Sequence, residues 1–198
     1  LDLAYNALYH RRDLTQPVQI LRQREDPHPI GGRKTVHADA LRSHRVTDVS
    51  PGTVTVALPE MRAGRVGIAL STIMSRVQLP NSALSDGMRT QLAAYAMGQS
   101  HLHYYNALER EGELAFIRTA ADLQAMVDLW RRPSHDTPIG LVLSMESADP
   151  VMSPDQLGHW YRAGLRVIGP AHGGLGRYAG GTGSDLGLTD LGPALLSE

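Results

Sequence analysis

Two polar residues follow predicted β-strands at positions where catalytic side chains are common. Glu146 comes after the apolar run 139–144, and His172 comes four residues after the run 165–168. In parallel α/β sheets the carboxyl ends of the strands open into the binding crevice. A carboxylate there can hold a metal ion or act as a base, and a histidine beside it can bind a substrate. Glu146 could equally cap a helix or pair with an arginine, and Asp149, further into the same loop, has a weaker claim.

Among the nine histidines, His101 and His103 are the most obvious candidates for a metal-binding pair. Both lie in a segment that reads as a helix, where side chains two residues apart point in nearly opposite directions. A metal pair on a helix needs a spacing of three or four residues. We therefore assign these two histidines to the helix surface or core.

A glycine-rich stretch over residues 173–184 follows His172 and contains a match to the dinucleotide pattern G-x-G-x-x-A. That pattern binds a pyrophosphate only when the loop opens a helix. Here Gly180, Gly181 and Gly183 follow at once and would break such a helix. We expect a flexible active-site loop, with phosphate or nucleotide binding as the alternative.

Apolar runs and helical segments alternate along the chain and predict the elements that position these residues. Predicted strands cover 65–72, 114–117, 139–144 and 165–168, and predicted helices cover 85–110, 119–130 and 153–163. Alternation of this kind indicates a parallel sheet covered by helices, either a barrel or an open sheet. A complete eight-unit barrel needs roughly 250 residues. The fold class is therefore α/β, with one domain over 1–198 as the N-terminal part of a (β/α) barrel.

Composition excludes several classes of protein. The 198 residues include no cysteine, which rules out a disulfide framework, a thiolate zinc site and a cysteine nucleophile. With 19 Lys and Arg against 20 Asp and Glu, the net charge of −1 disfavours a nucleic-acid partner. No apolar run approaches the roughly 18 residues of a membrane span. Residues 22–64 lack periodicity and predict an irregular excursion, and both ends read as interior segments, so we expect a piece of a longer protein.

Four stretches in order resemble the membrane (renal-type) dipeptidase family, the zinc metallopeptidases of family M19. They are residues 58–67, 143–149, 161–172 and 187–192. The spacing holds across almost the whole chain. The match departs from the family at residues 68–71, where aromatic residues are usual, and in the loop after His172, which lacks the usual asparagine.

The resemblance implies roles for three residues. Asp2 would be a zinc ligand, at the end of an Asp-x-His-x-Asp element whose histidine precedes Leu1. Glu146 would bridge two zinc ions as the catalytic carboxylate, and His172 would contact the substrate. The remaining zinc histidines and the aspartate that handles protons would lie beyond position 198.

The resemblance thus implies a zinc-dependent dipeptidase of the TIM-barrel type. It would hydrolyse dipeptides by metal-activated water at a binuclear centre. By itself the 198-residue chain would bind metal poorly and be inactive, because its ligand set is incomplete. A homodimer would fit the family, and the lack of cysteine favours a cytoplasmic location. Alternatives are a phosphate- or nucleotide-binding barrel that uses the glycine-rich loop, and a non-catalytic barrel that binds a partner.

Overall fold

Four parallel β-strands form the centre of the computed structural model, which describes residues 1–24, 54–78 and 87–198. The strands are β1 (Ile68–Met74), β2 (Leu114–Phe116), β3 (Ile139–Glu146) and β4 (Leu165–Gly169). The helices are α1 (Leu3–Leu8), α2 (Val18–Arg24), α3 (Leu58–Ala63), α4 (Gln91–Arg110), α5 (Ala120–Leu129), α6 (Leu157–Arg162) and α7 (Gly192–Leu196). A 3₁₀ turn at Pro154–Gln156 precedes α6.

Strand β3 is the hub of the sheet. It pairs with β1 along its whole length, from Ile68 beside Gly140 to Met74 beside Glu146. Its other edge is shared, since β2 pairs with residues 139–141 and β4 with residues 143–146. All pairs are parallel, as the alternation of apolar runs and helices predicts. Most strand ends lie within two residues of their predicted positions. The described residues form a four-stranded sheet, and this sheet does not by itself establish the predicted closed barrel.

Part of the predicted irregular region 22–64 is helical. Residues 22–24 end α2 and residues 58–63 form α3, whereas residues 25–53 lie outside the described part of the chain. Residues 54–57 include three β-branched residues but form no strand. Pro59 instead occupies the first turn of α3, where its missing N–H costs nothing.

The two faces of the sheet differ in burial. On the face covered by helices, Ile73, Leu141 and Leu143 are fully buried and form the centre of the hydrophobic core. On the opposite face, Leu70 is 52% exposed and Val167 is 43% exposed. Parallel sheets are ordinarily covered on both faces. The apolar core of the described residues therefore lies on one side of the sheet.

Side-chain caps are present at the starts of two helices. Thr119 and Asp122 form a capping box at α5, each side chain accepting from the other's backbone amide. Thr90 caps α4 by accepting from the amide of Ala93. Ser153 stands at the N-cap position of the 3₁₀ turn after β3 and makes no side-chain cap bond. Gln156 reaches back and accepts from the amide of Met152, so the chain enters α6 through a 3₁₀ turn.

Helix α3 ends in a Schellman turn with an arginine at the left-handed position. The amide of Val66 donates to the carbonyl of Met61, and the amide of Arg65 donates to the carbonyl of Arg62. Arg65 has a φ of 56°, a conformation in which glycine is far more usual. The turn leads directly into β1.

The two tryptophans pack at different parts of the sheet. Trp130 lies over Gly67, just before β1, where a methyl group on the glycine would fall 2.5 Å from the indole. Its Nε1 donates to the carbonyl of Pro138 at 2.9 Å. Trp160 of α6 is fully buried and approaches Pro150, in the segment that follows β3.

Candidate functional site

The carboxyl ends of β1, β3 and β4 meet at one edge of the sheet. Met74, Glu146 and Gly169 occupy equivalent positions in the register at this edge. His172 follows β4 by three residues, and its Nδ1 lies 2.6 Å from Oε1 of Glu146. The side chains are 56% and 28% exposed respectively. The structure thus brings together two of the three residues to which the sequence assigns a function.

Asp2 lies at the same edge, beside β1. The backbone nitrogen of Leu1 donates to the carbonyl of Leu70, and the amide of Thr72 donates to the carbonyl of Leu1. The chain at Asp2 therefore runs as a neighbour of β1, two inter-strand spacings or roughly 10 Å from β3. The Asp2 side chain makes no capping bond to α1, although it stands at the N-cap position.

Tyr105 of α4 holds the segment that follows Asp2, a role that the sequence did not reveal. Its hydroxyl donates to the carbonyl of Thr72 at 2.9 Å and accepts from the amide of Ala4 at 3.2 Å. The side chain is fully buried, and this burial, together with the negative charge of Asp2, raises the pKa of Tyr105. The hydroxyl therefore stays protonated and links α1 to β1 at neutral pH.

Asp149 is buried rather than open to a ligand, with 2% exposure. Its Oδ2 accepts from the amide of Val77 at 2.7 Å, and its Oδ1 accepts from the amide of Arg177 at 2.9 Å. Both carboxylate oxygens are thus engaged by backbone N–H groups. Its weaker claim to chemistry in the sequence agrees with this placement.

His101 and His103 do not form a metal pair. His101 is 1% exposed, and its Nδ1 accepts from the amide of Met74 at 3.3 Å, whereas His103 is exposed on the other side of α4. Burial lowers the pKa of His101 from 6.5 to about 4, so its imidazole is neutral at pH 7. This histidine supports the carboxyl end of β1 by accepting a hydrogen bond from the last residue of that strand.

Hydrogen bonds within the glycine-rich loop connect its own backbone groups. The amide of Thr182 donates to the carbonyl of His172, that of Gly174 to Thr182, and that of Gly181 to Gly174. The amides of Gly176, Gly180 and Ser184 also donate to carbonyls within residues 179–187. These bonds give the loop a defined form in the structure, and its flexibility stays a prediction.

This bonding also counts against the phosphate- or nucleotide-binding alternative. A phosphate cradle needs unpaired backbone N–H groups that point at the anion, commonly at the start of a helix. Six amides of the loop donate within it or to residues just beyond it, and α7 begins only at Gly192. The loop therefore does not open a helix of the kind that the pattern requires.

The described side chains at this edge of the sheet supply only some of the ligands that a metal ion needs. Within residues 1–24, 54–78 and 87–198, no group of three or more His, Cys, Asp or Glu side chains lies close enough to hold an ion. Carboxylate oxygens suit zinc, and Asp2 and Glu146 supply them. One oxygen of Glu146 is engaged by His172, whereas a carboxylate that bridges two ions uses both oxygens. The described part of the chain therefore offers part of a ligand set and not a complete one.

Solved structures with a similar fold include two dipeptidases, one of them probable, and a metallopeptidase. The probable dipeptidase PvdM from Pseudomonas aeruginosa matches with a TM-score of 0.57 and 16% identity over 75% of this chain. A metallopeptidase from Rhodobacter sphaeroides, solved with a phosphinate mimic of the dipeptide L-Ala-D-Ala, matches with a TM-score of 0.52 and 21% identity over 81%. Dipeptidase AC, a family M19 metallopeptidase, matches with a TM-score of 0.50 and 22% identity over 81%. No protein-family profile and no curated protein matches the chain.

These matches define the class of the fold, and they agree with the resemblance seen in the sequence. The chain has the α/β fold of the M19 dipeptidases, at identities that bear on fold alone. It spans 38% of PvdM, 49% of dipeptidase AC and 50% of the Rhodobacter sphaeroides enzyme. Among the helices of the described residues, none is long and apolar enough to cross a membrane.

Proposed function

We propose that this chain is the N-terminal part of a zinc-dependent dipeptidase that hydrolyses the peptide bond of dipeptides. The observation that carries the proposal is the contact between Glu146 and His172 at the carboxyl edge of a parallel sheet. The likeness in fold to M19 dipeptidases supports it. In α/β folds of this kind, the carboxyl edge is where catalytic groups collect.

Glu146 and Asp2 are the residues that would hold metal. When two zinc ions are bound, they lower the pKa of a water molecule and polarise the scissile carbonyl. Glu146 ends β3, and Asp2 precedes the segment of α1 that Tyr105 holds against β1. His172, which contacts Glu146, would contact the substrate.

The full site needs ligands that these residues do not supply. Two carboxylates leave the tetrahedral preference of zinc unsatisfied. We therefore expect the 198-residue chain to bind zinc weakly and to hydrolyse no dipeptide at a measurable rate. Rapid hydrolysis by this chain by itself would contradict the incomplete site.

The decisive experiment measures zinc content and hydrolysis in the full-length protein that contains this chain. Elemental analysis is expected to give close to two zinc per chain. The substrate panel includes L-Ala-D-Ala, because one structural neighbour binds a mimic of that dipeptide. Glu146→Gln keeps the size of the side chain and is expected to lose zinc and activity together.

Asp155→Asn is the matched control, since Asp155 is an exposed acid in the segment after β3. It is expected to keep both zinc and activity. A full-length protein that carries no zinc and hydrolyses no dipeptide would overturn the proposal. That result would favour a non-catalytic barrel that binds a partner.

A further inference from the structure

Asp149 joins three segments at the carboxyl edge of the sheet. It follows Glu146 by three residues, after a turn in which Ser147 has a φ of 72°. Its two oxygens accept from Val77, in the segment after β1, and from Arg177, in the glycine-rich loop. A carboxylate that accepts from backbone amides while almost fully buried forms strong, directional bonds. One side chain therefore ties the ends of β1 and β3 to the loop that follows β4.

The glycine-rich loop transmits this anchorage to His172. Hydrogen bonds from Thr182 to His172 and from Gly181 to Gly174 close the loop on itself, and Arg177 lies within the closed part. A second pair of contacts fastens the same region, because Tyr178 donates to the carbonyl of Val151 and the Arg177 guanidinium donates to the carbonyl of Met152. The loop is therefore held against the segment that continues from Glu146.

We propose that Asp149 is a positioning residue that sets His172 against Glu146. It touches neither side chain, and it acts by fixing the distance between the two segments that carry them. The consequence for dipeptide hydrolysis rests on the proposed function. The placement of His172 is independent of the proposed function, because it depends only on contacts within this chain.

The test is amide hydrogen exchange of the 198-residue chain with Asp149→Asn. Asparagine has the same shape and keeps one acceptor, but its NH₂ group faces a backbone N–H and cannot accept from it. Loss of a hydrogen bond to a charged group is expected to speed exchange of the loop amides of Gly174, Gly181 and Thr182 at least about tenfold. The amides of β3 are expected to keep their rates.

Chemical modification of histidine gives a readout at His172 itself. Diethyl pyrocarbonate modification, followed by peptide mass spectrometry, is expected to be several-fold faster at His172 in Asp149→Asn than in the unaltered chain. Asp155→Asn, an exposed acid six residues along, is the control and is expected to change neither the exchange nor the modification rate. The exposed His103 serves as an internal reference within each sample.

Arg177→Pro provides a second route to the same result. It removes both the N–H donor to Asp149 and the guanidinium that donates to Met152, and it leaves the bond from Val77 to Asp149 in place. The same acceleration over residues 172–182 is expected. Arg177→Ala removes only the guanidinium and keeps the N–H, so it is the matched control and is expected to accelerate exchange less than Arg177→Pro. Unchanged loop exchange in both Asp149→Asn and Arg177→Pro, or equal acceleration over the whole sheet in both, would overturn the proposal. None of these measurements needs zinc or a dipeptide, so a failure of the proposed function would be seen separately.

Discussion

His101 is a buried neutral histidine that accepts a hydrogen bond from the backbone at the end of β1. Its pKa in the folded chain, about 4, lies below the ordinary value of 6.5. As the pH falls, the unfolded chain takes up the proton first. The stability that depends on neutral His101 is therefore complete above pH 6.5 and is lost between pH 6.5 and pH 4.

We expect the free energy of unfolding to decrease over this pH range by at most about 3 kcal/mol because of His101. His101→Asn keeps an acceptor near the position of Nδ1 and cannot take up the proton. Its stability at pH 7 is expected to be lower, but this component of its pH dependence should disappear. Urea unfolding at pH 4.5 and pH 7 measures the difference. His103→Asn, exposed on the same helix, should leave the pH dependence unchanged, and an unaltered pH dependence in His101→Asn would contradict the explanation.

Residue types at strand ends were enough to predict that Glu146 and His172 are neighbours, because parallel strands end at one edge. Their roles stay predictions. Tyr105 and Asp149 could not be assigned in the same way. Each acts through backbone groups that are distant in sequence, Asp149 bonding to residues 72 and 28 positions away. No local pattern marks such a residue.

The turn between α3 and β1 places Arg65 in a left-handed conformation that costs an L-residue about 1 kcal/mol. Glycine adopts it without that penalty. We expect Arg65→Gly to raise the free energy of unfolding by up to about 1 kcal/mol, after the greater entropy of unfolded glycine is subtracted. Ala63→Gly, two residues earlier and inside α3, should lower it by a similar amount. Thermal unfolding of the two variants distinguishes these outcomes, and a destabilised Arg65→Gly would show that the arginine side chain contributes more than the turn costs.

The glycine-rich loop depends on glycine at positions where backbone segments meet. A methyl group at Gly181 would lie 2.1 Å from the carbonyl oxygen of His172. We expect Gly181→Ala to lower the free energy of unfolding by about 2 kcal/mol, because the backbone near His172 must move. Gly187→Ala is the control, since nothing lies within 4 Å of its added methyl group. Chemical denaturation of both variants provides the measurement, and equal stability would show that the loop adapts at little cost.

The four strands and the helices α4, α5 and α6 were predictable from apolar period and capping residues, whereas helices α1, α2 and α3 and the loops were not. The glycine-rich stretch shows the reason. Its composition indicated flexibility, but its form comes from hydrogen bonds between residues up to ten positions apart, such as His172 with Thr182. Amino-acid composition indicates how freely the backbone can move, but it does not indicate which backbone amides form hydrogen bonds. The same limit applies to α3, which lies in a region whose composition indicated irregular structure.

At the scale of the molecule, the sheet divides a covered side from an open one. Leu141 and Leu70 lie on neighbouring strands and point to opposite faces, the first fully buried and the second 52% exposed. Leu141→Ala is expected to lower the free energy of unfolding by about 2–5 kcal/mol, as in other buried cores. Leu70→Ala should cost less than about 1 kcal/mol, mainly through lower strand propensity. Equilibrium unfolding of both variants checks this, and a large loss at Leu70 would mean that the open face is covered in solution.

The two tryptophans offer an optical consequence of this layout. Trp130 lies over Gly67 at the amino ends of the strands, whereas Trp160 is buried near Pro150 beyond the end of β3. A single-tryptophan chain made with Trp130→Phe emits only from the second position, and one made with Trp160→Phe emits only from the first. Burial shifts indole emission to shorter wavelength. Exposure of the tryptophan at one end of the sheet therefore shifts the emission wavelength of one variant and leaves that of the other variant unaltered. Fluorescence can thus report, without any added label, which end of the sheet opens first.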